Sequence, residues 1–179
     1  MNVTGAFAEV IQILFSIYSF LIIARFMLQL GGADFYNPIS QGVVKATHIP
    51  LTGIRKIIPS AGRYDFASLV WLFVVQVIML ITLGLMVNGV ILSPIVLVIG
   101  GLKQAASALL SFWFFTLIVS VIASWIAMGQ RNPALDLVDQ LSRPLLAPIQ
   151  RVIPPLGGLD LSPMVAFLVI LFLQRLFGL

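Results

Sequence analysis

Apolar residues dominate four stretches of this chain, and the segments between them mix apolar and polar positions at helical spacing. The first stretch, about 7–30, is interrupted by Glu9, Gln12, Arg25 and Gln29, mostly near its ends. The second, about 66–87, holds one strongly polar residue, Gln76. The third, about 105–128, carries no charge and includes Trp113 and Trp125. The fourth, 163–179, is shorter and ends near Gln174 and Arg175, whose long side chains can snorkel toward headgroups. Since about 20 apolar residues cross a bilayer, the pattern predicts an all-α membrane protein with four transmembrane helices. Residues 89–103 are also apolar but are interrupted by Pro94 and Gly100-Gly101. A helix running from there through Met128 would be about 52 Å long at 1.5 Å per residue, so an interfacial or re-entrant connection is expected instead.

Sliding the chain against itself by 95 residues aligns the polar segments. Asn37-Pro38 falls on Asn132-Pro133, Lys56 on Arg151, Pro59 on Pro154, Gly62 on Gly157 and Asp65 on Asp160. Between 37–70 and 132–165, 10 of 34 positions are identical, and several are not hydrophobic filler. The offset also pairs Ser16 with Ser111, Gln12 with Ser107 and Glu9 with Gln104. Residues 1–88 and 104–179 therefore read as two tandem repeats joined by 89–103. Each copy holds an even number of spans, so both enter the membrane the same way round, as parallel repeats.

Within each repeat the segment between the spans, 37–59 and 132–153, reads as an interfacial amphipathic helix. Asn37 and Asn132 suit the cap position, and Pro38 and Pro133 the first helical position. Leu135, Val138, Leu141, Leu145, Ile149, Val152 and Ile153 recur at helical spacing, with Asp136, Asp139, Gln140, Arg143, Gln150 and Arg151 on other faces. The first copy repeats this more weakly with Ile39, Val43 and Ala46, then Leu51, Ile54, Ile57 and Ile58. Pro50, Pro144 and Pro148 are expected to break each run into two short helices. Asp65 and Asp160, just before the next span, suit a helix-start role, with pairing to Arg55, Lys56 or Arg151 as the alternative.

Composition strengthens the membrane reading. Of 179 residues 60% are hydrophobic and 9% charged, whereas soluble domains carry about 25% charged residues. The net charge of +4 would hint at nucleic acid in a soluble chain; in a membrane chain it encodes topology, and no nucleic-acid partner is expected. Lys45, Arg55, Lys56, Arg63, Arg131, Arg143 and Arg151 all fall in the loops 31–65 and 129–161, so those loops are expected on the cytoplasmic side and both termini outward. The same cations suit anionic lipid headgroups. No basic region precedes the first apolar stretch, which reads as a retained span.

The segment NPALDLVDQLSRPLLAPIQRVIPPLGGLDLSP at 132–163, including Arg143, Pro144, Pro154, Gly157, Asp160, Ser162 and Pro163, resembles the YggT family, which includes the bacterial YlmG proteins. The resemblance covers both copies, although the first ends in SAGRYDFAS, which departs from the pattern at Arg63 and Ser68. It implies a small multi-pass protein of the bacterial inner membrane or of plastid membranes. It also implies association with osmotic-stress tolerance and division genes, and in plastids with thylakoid biogenesis and cytochrome b6 maturation. No enzymatic activity is established for the family.

The residues point the same way. Cysteine is absent and His48 is the single histidine, with no acidic cluster at ligand spacing, so no metal or cofactor is expected. Asp136 and Asp139 share a helix face that is better read as solvated than catalytic. Function would sit among polar residues of the spans: Arg25, Gln12, Gln76, Ser16 and Ser111, with Gln29, Gln174, Ser19, Ser107, Ser120 and Ser124 beside them. Arg25 is near enough to its helix end to snorkel. Two functions fit: a non-enzymatic scaffold or assembly factor acting through the amphipathic segments, alone or with a membrane-protein partner, and an oligomeric channel or transporter component for ions or small osmolytes.

Overall fold

Among the described residues the chain forms six helices, as the hydrophobic pattern requires once backbone groups must be satisfied without water. The computed structural model describes residues 3–33, 37–126, 133–153 and 160–178. The helices are α1 (Val3–Gly31), α2 (Pro38–Arg55), α3 (Phe66–Asn88), α4 (Pro94–Ile126), α5 (Pro133–Val152) and α6 (Ser162–Phe177). Three of them, α1, α3 and α4, are long and apolar enough to cross a membrane, while α6 is apolar but has 16 residues. Large side chains such as Phe7, Leu14, Leu168 and Phe172 lie exposed on the bundle surface. A soluble monomer rarely tolerates such a surface, and these helices mark the chain as a membrane protein.

Helix α1 is the organising element, packing on α2, α3, α4 and α5. Its carboxyl-terminal half supplies Ile22, Ile23, Met27 and Leu28 to a core shared with Leu72 and Val75 of α3, Phe112 of α4 and Leu137 of α5. A second cluster joins Leu110 and Leu117 of α4 to Leu146 of α5 and to Ala166 and Ile170 of α6.

Three expectations are corrected. The stretch 89–103 is not a separate interfacial piece: it is helical from Pro94 and continuous with the following span over 33 residues, about 50 Å at 1.5 Å per residue. Gly100-Gly101 does not break this helix. Its missing side chains let α4 lie against α3, since a Cβ at Gly101 would stand 2.7 Å from Val77 and 3.0 Å from Phe73.

Nor do the prolines divide the amphipathic segments. Helix α2 continues through Pro50 and α5 through Pro144 and Pro148. Each proline removes one N–H and crowds the carbonyl four residues back, but packing on both sides offsets that loss. Val43 and Thr47 precede Pro50 and Leu51 follows it, all buried; Leu137 precedes Pro144 and Leu146 follows, both buried.

The third correction concerns which face packs. In α2 the inward residues are Ser40, Val43, Thr47 and Leu51, whereas Ile39, Ala46 and Ile57 are exposed. Thr47 points inward to meet the Arg25 guanidinium, whereas the buried Ser40 hydroxyl has no hydrogen-bond partner among the described residues.

Gly31 sets the distance between α1 and α5. A Cβ there would lie 2.5 Å from the Gln140 carbonyl oxygen, the carbonyl to which Pro144 has no N–H to offer. Gly31→Ala is expected to destabilise the fold by about 1–3 kcal/mol through forced separation of these helices. Gly42→Ala, at an exposed helical site with open space around it, is expected to stabilise by about 0.5–1 kcal/mol. Thermal melts of both variants in detergent should therefore shift in opposite directions.

Candidate functional site

The residues singled out by sequence gather in three places, two of them built by tying α2 and α5 to the bundle. The first is a polar clamp at the start of α3. Asp65 has no solvent exposure and accepts hydrogen bonds from Arg55 Nη2 at 2.5 Å, Ser68 Oγ at 2.7 Å and Ser60 Oγ at 3.3 Å. No side-chain capping hydrogen bond closes the start of α3, and the carboxylate is held chiefly by Arg55, the pairing that the sequence left as the alternative. Burial alone would push the Asp65 carboxyl up. The hydrogen bonds from Arg55 and Ser68 and the Arg55 charge outweigh it and hold the group below the usual carboxylate range.

The equivalent pair 95 residues on is weaker. Gln150 Nε2 donates to Asp160 at 2.9 Å, and the Ser162 N–H donates to the other carboxylate oxygen at 2.9 Å. Asp160 thus keeps the helix-start role, at an exposed position, with a neutral amide where the first copy has an arginine. Pro163 follows in the first turn of α6.

Arg25 completes the first clamp. Instead of snorkelling to headgroups it is 5% exposed and turns onto α2, with Nη1 donating to the Val44 carbonyl and to Thr47 Oγ1, both at 2.9 Å. Asn37 caps α2 as expected, accepting from the Ile39 N–H at 2.9 Å with Pro38 behind it. Asn132, Pro154 and Gly157 lie outside the described residues, and Pro133 opens α5.

The second place is a groove of about 670 Å³ between the 61–64 turn and α5. The turn is closed by reciprocal backbone bonds between Ala61 and Tyr64, both 3.0 Å, with Gly62 at φ 60°. Arg63 and Arg151 line the groove from its two sides, over Leu30, Pro144, Ala147 and Pro148. Among the described residues no acidic side chain lines it. Lys56 and Pro59 lie exposed nearby in sequence, while Arg143 is occupied by Asp139 of its own helix at 3.0 Å.

The third place is a cleft of about 560 Å³ between α1 and α4, with α3 contributing to its wall. It brings together the predicted Gln12, Ser16, Gln76 and Ser111 with Ser19, Gln104 and Ser107. Gln76 Nε2 donates to Ser19 Oγ at 3.0 Å, and Ser19 Oγ donates to the Phe15 carbonyl at 2.7 Å.

Thr47, Arg63 and Gln150 were not foreseen as site residues. The repeat carried a signal for one of them: Arg55 and Gln150 each stand ten residues before their aspartate. Among the described residues no group of three or more His, Cys, Asp or Glu could hold a metal ion.

Comparison with known proteins supplies the family. The profile of the CCB3/YggT family matches residues 4–86 and again 99–179, two segments that begin at the offset of 95. The chain belongs to the CCB3/YggT family. This CCB3/YggT member is 45% identical over 171 residues to uncharacterized protein PA0392 of Pseudomonas aeruginosa, covering 93% of this chain and 85% of that one. It is 38% identical to an uncharacterized protein of the proC 3′ region of Vibrio alginolyticus, covering 94% and 91%. With uncharacterized protein YggT of Escherichia coli K12 the identity is 37%, covering 86% and 79%. No solved structure matches.

The clamp makes a pH prediction. A carboxyl held below its unfolded value contributes stability above the ordinary carboxylate pKa of about 3.9, and that contribution disappears as pH falls through the lower folded value. The melting temperature should therefore hold between pH 8 and 5 and drop below about pH 4. Asp65→Asn should cost about 2 kcal/mol at neutral pH, less than a fully buried pair because Arg55 is 33% exposed. Asp160→Asn, at an exposed site, should leave the melt nearly unchanged.

Proposed function

We propose that this protein is a non-enzymatic organiser of the bacterial inner membrane, holding anionic lipid headgroups, and through them a membrane-protein partner, against its two amphipathic helices. The observation that carries this reading is the groove lined by both Arg63 and Arg151, with Leu30, Ala147 and Pro148 as apolar surface and no acidic residue among the described ones. Paired cations above apolar surface suit a phosphate whose acyl chains continue into the bilayer. The rigid setting of α2 and α5 supports it too, because a clamped helix presents its cations at fixed positions instead of drifting on the surface.

In this reading α6 is the fourth span and the two family matches are two parallel repeats. The loops carrying Arg63 and Arg151 face the cytoplasm, both termini face outward, and association with osmotic-stress tolerance follows from contact with a tensioned lipid surface. A second reading, an oligomeric channel or transporter component, is favoured by the polar cleft between α1 and α4.

Each basic residue near an anionic surface contributes about 1 kcal/mol, so replacing both arginines with glutamine should weaken headgroup binding roughly 30-fold. Nanodiscs or liposomes holding phosphatidylglycerol against phosphatidylcholine, read by retained lipid in native mass spectrometry, test this. Equal retention of both lipids by the unaltered protein sinks the proposal. Liposome flux of potassium, sodium and small osmolytes tests the second reading: movement down an imposed gradient supports transport, and its absence under every gradient removes it. Cysteine labelling should reach Arg151→Cys from the cytoplasmic side and Thr4→Cys from the outer side; labelling of both from one side refutes the topology.

A further inference from the structure

The cleft between α1 and α4 has a different chemistry from the arginine groove. Gln76 stands one residue from the midpoint of the 23-residue α3, so the cleft reaches the middle of an apolar span. Polar groups there have no water to turn to, and each unmet one is costly. The Gln12 and Gln104 amides make no side-chain hydrogen bond with any described residue, and both are exposed. Gln76 is 4% exposed and spends its amide donor on Ser19, while its carbonyl oxygen accepts from no described residue. The Gln76 carbonyl, two open amides and the hydroxyls of Ser107 and Ser111 therefore line one space.

Among the described residues no acidic or basic side chain lines that space. A phosphate or ammonium head would have to leave water with nothing to pair against, which excludes both. An uncharged head that donates and accepts one hydrogen bond each matches the glutamine and serine set. Ile17, Phe20 and Phe115 along the same wall suit an alkyl chain. A volume of about 560 Å³ lies in the range of small-molecule sites, about 300–1,000 Å³. It holds a head and the first part of a chain, with the rest continuing into lipid through the open side. A second copy of this chain is a poorer occupant, because the outward face of α6 presents Met164, Leu168, Leu171 and Phe172, which satisfy no amide.

We propose that this cleft binds an uncharged, hydroxyl-headed long-chain amphiphile taken up laterally from the bilayer. The test uses three probes with the same diazirine-bearing sixteen-carbon tail and different heads: an alcohol, its phosphate monoester and the parent hydrocarbon. Each is photolysed with the full chain in nanodiscs, and labelled peptides are quantified. The alcohol should label residues 12–20 and 104–115 about tenfold more than the hydrocarbon does, and the phosphate should not exceed the hydrocarbon. Gln104→Leu, at an exposed position that leaves the Gln76–Ser19 bond in place, should reduce alcohol labelling to the hydrocarbon level with an unchanged melting temperature. Gln12→Leu should do the same. Labelling that is independent of the head, labelling by the phosphate equal to that by the alcohol, or capture of α1 by α4 of a second copy in place of probe would each overturn the proposal.

Discussion

A buried carboxylate fixes the architecture around it. Asp65 sits where α3 begins, has no exposure, and gathers Arg55 from the end of α2 with Ser60 and Ser68 from either side. An amphipathic helix between two spans would otherwise be free to rotate and slide in the headgroup layer, since its apolar face finds lipid in many orientations. Uncompensated burial of either charge would be prohibitive, so the ion pair and its two hydroxyls hold only as a set. Arg25 adds a second tie, from the interior of α1 to the middle of α2. With α2 fixed at two points and α5 seated against Gly31, the basic groove and the amphipathic surfaces follow.

The two copies have diverged where that tie is made. Val43 and Val138 both offer their carbonyls to a hydroxyl four residues on, Thr47 at 2.7 Å and Ser142 at 2.6 Å. Arg55 and Gln150 both reach the following aspartate, but only the first pair is ionic and only the first aspartate is buried. The segment ending at Asp65 is the more firmly anchored, while Arg151, next to Gln150, lines the groove together with Arg63. Charge is thus concentrated at the ends of α2 and α5, while the cleft between α1 and α4 is polar and uncharged. A membrane protein can keep both because charge is tolerable near the headgroups, whereas deeper positions favour neutral hydrogen-bonding groups.

Much of this was legible in the sequence. The spans, the two amphipathic helices, the Asn37 cap and the offset of 95 residues come from periodicity and composition, and these are local properties of the chain. Where local rules were extended they misled. Pro50, Pro144 and Pro148 look like breaks, and Gly100-Gly101 looks like a hinge, because their intrinsic preferences are real. Those preferences were overridden by packing that the sequence does not display: Leu51 and Leu146 buried beyond their prolines, and Phe73 and Val77 filling the space above the glycines.

The chain by itself determined that this is an apolar, helical membrane protein with its cations concentrated in two segments, because hydrophobic period and charge placement act along the sequence. Tertiary structure alone decided which of those charges meet. Arg25 turns to α2 instead of headgroups, Arg55 takes Asp65, and Arg63 and Arg151 come to line one groove. Polar residues dispersed over three helices likewise become one cleft. Such meetings depend on the register and separation of packed helices, which close contacts such as that of Gly31 with the Gln140 carbonyl set and which no local pattern records.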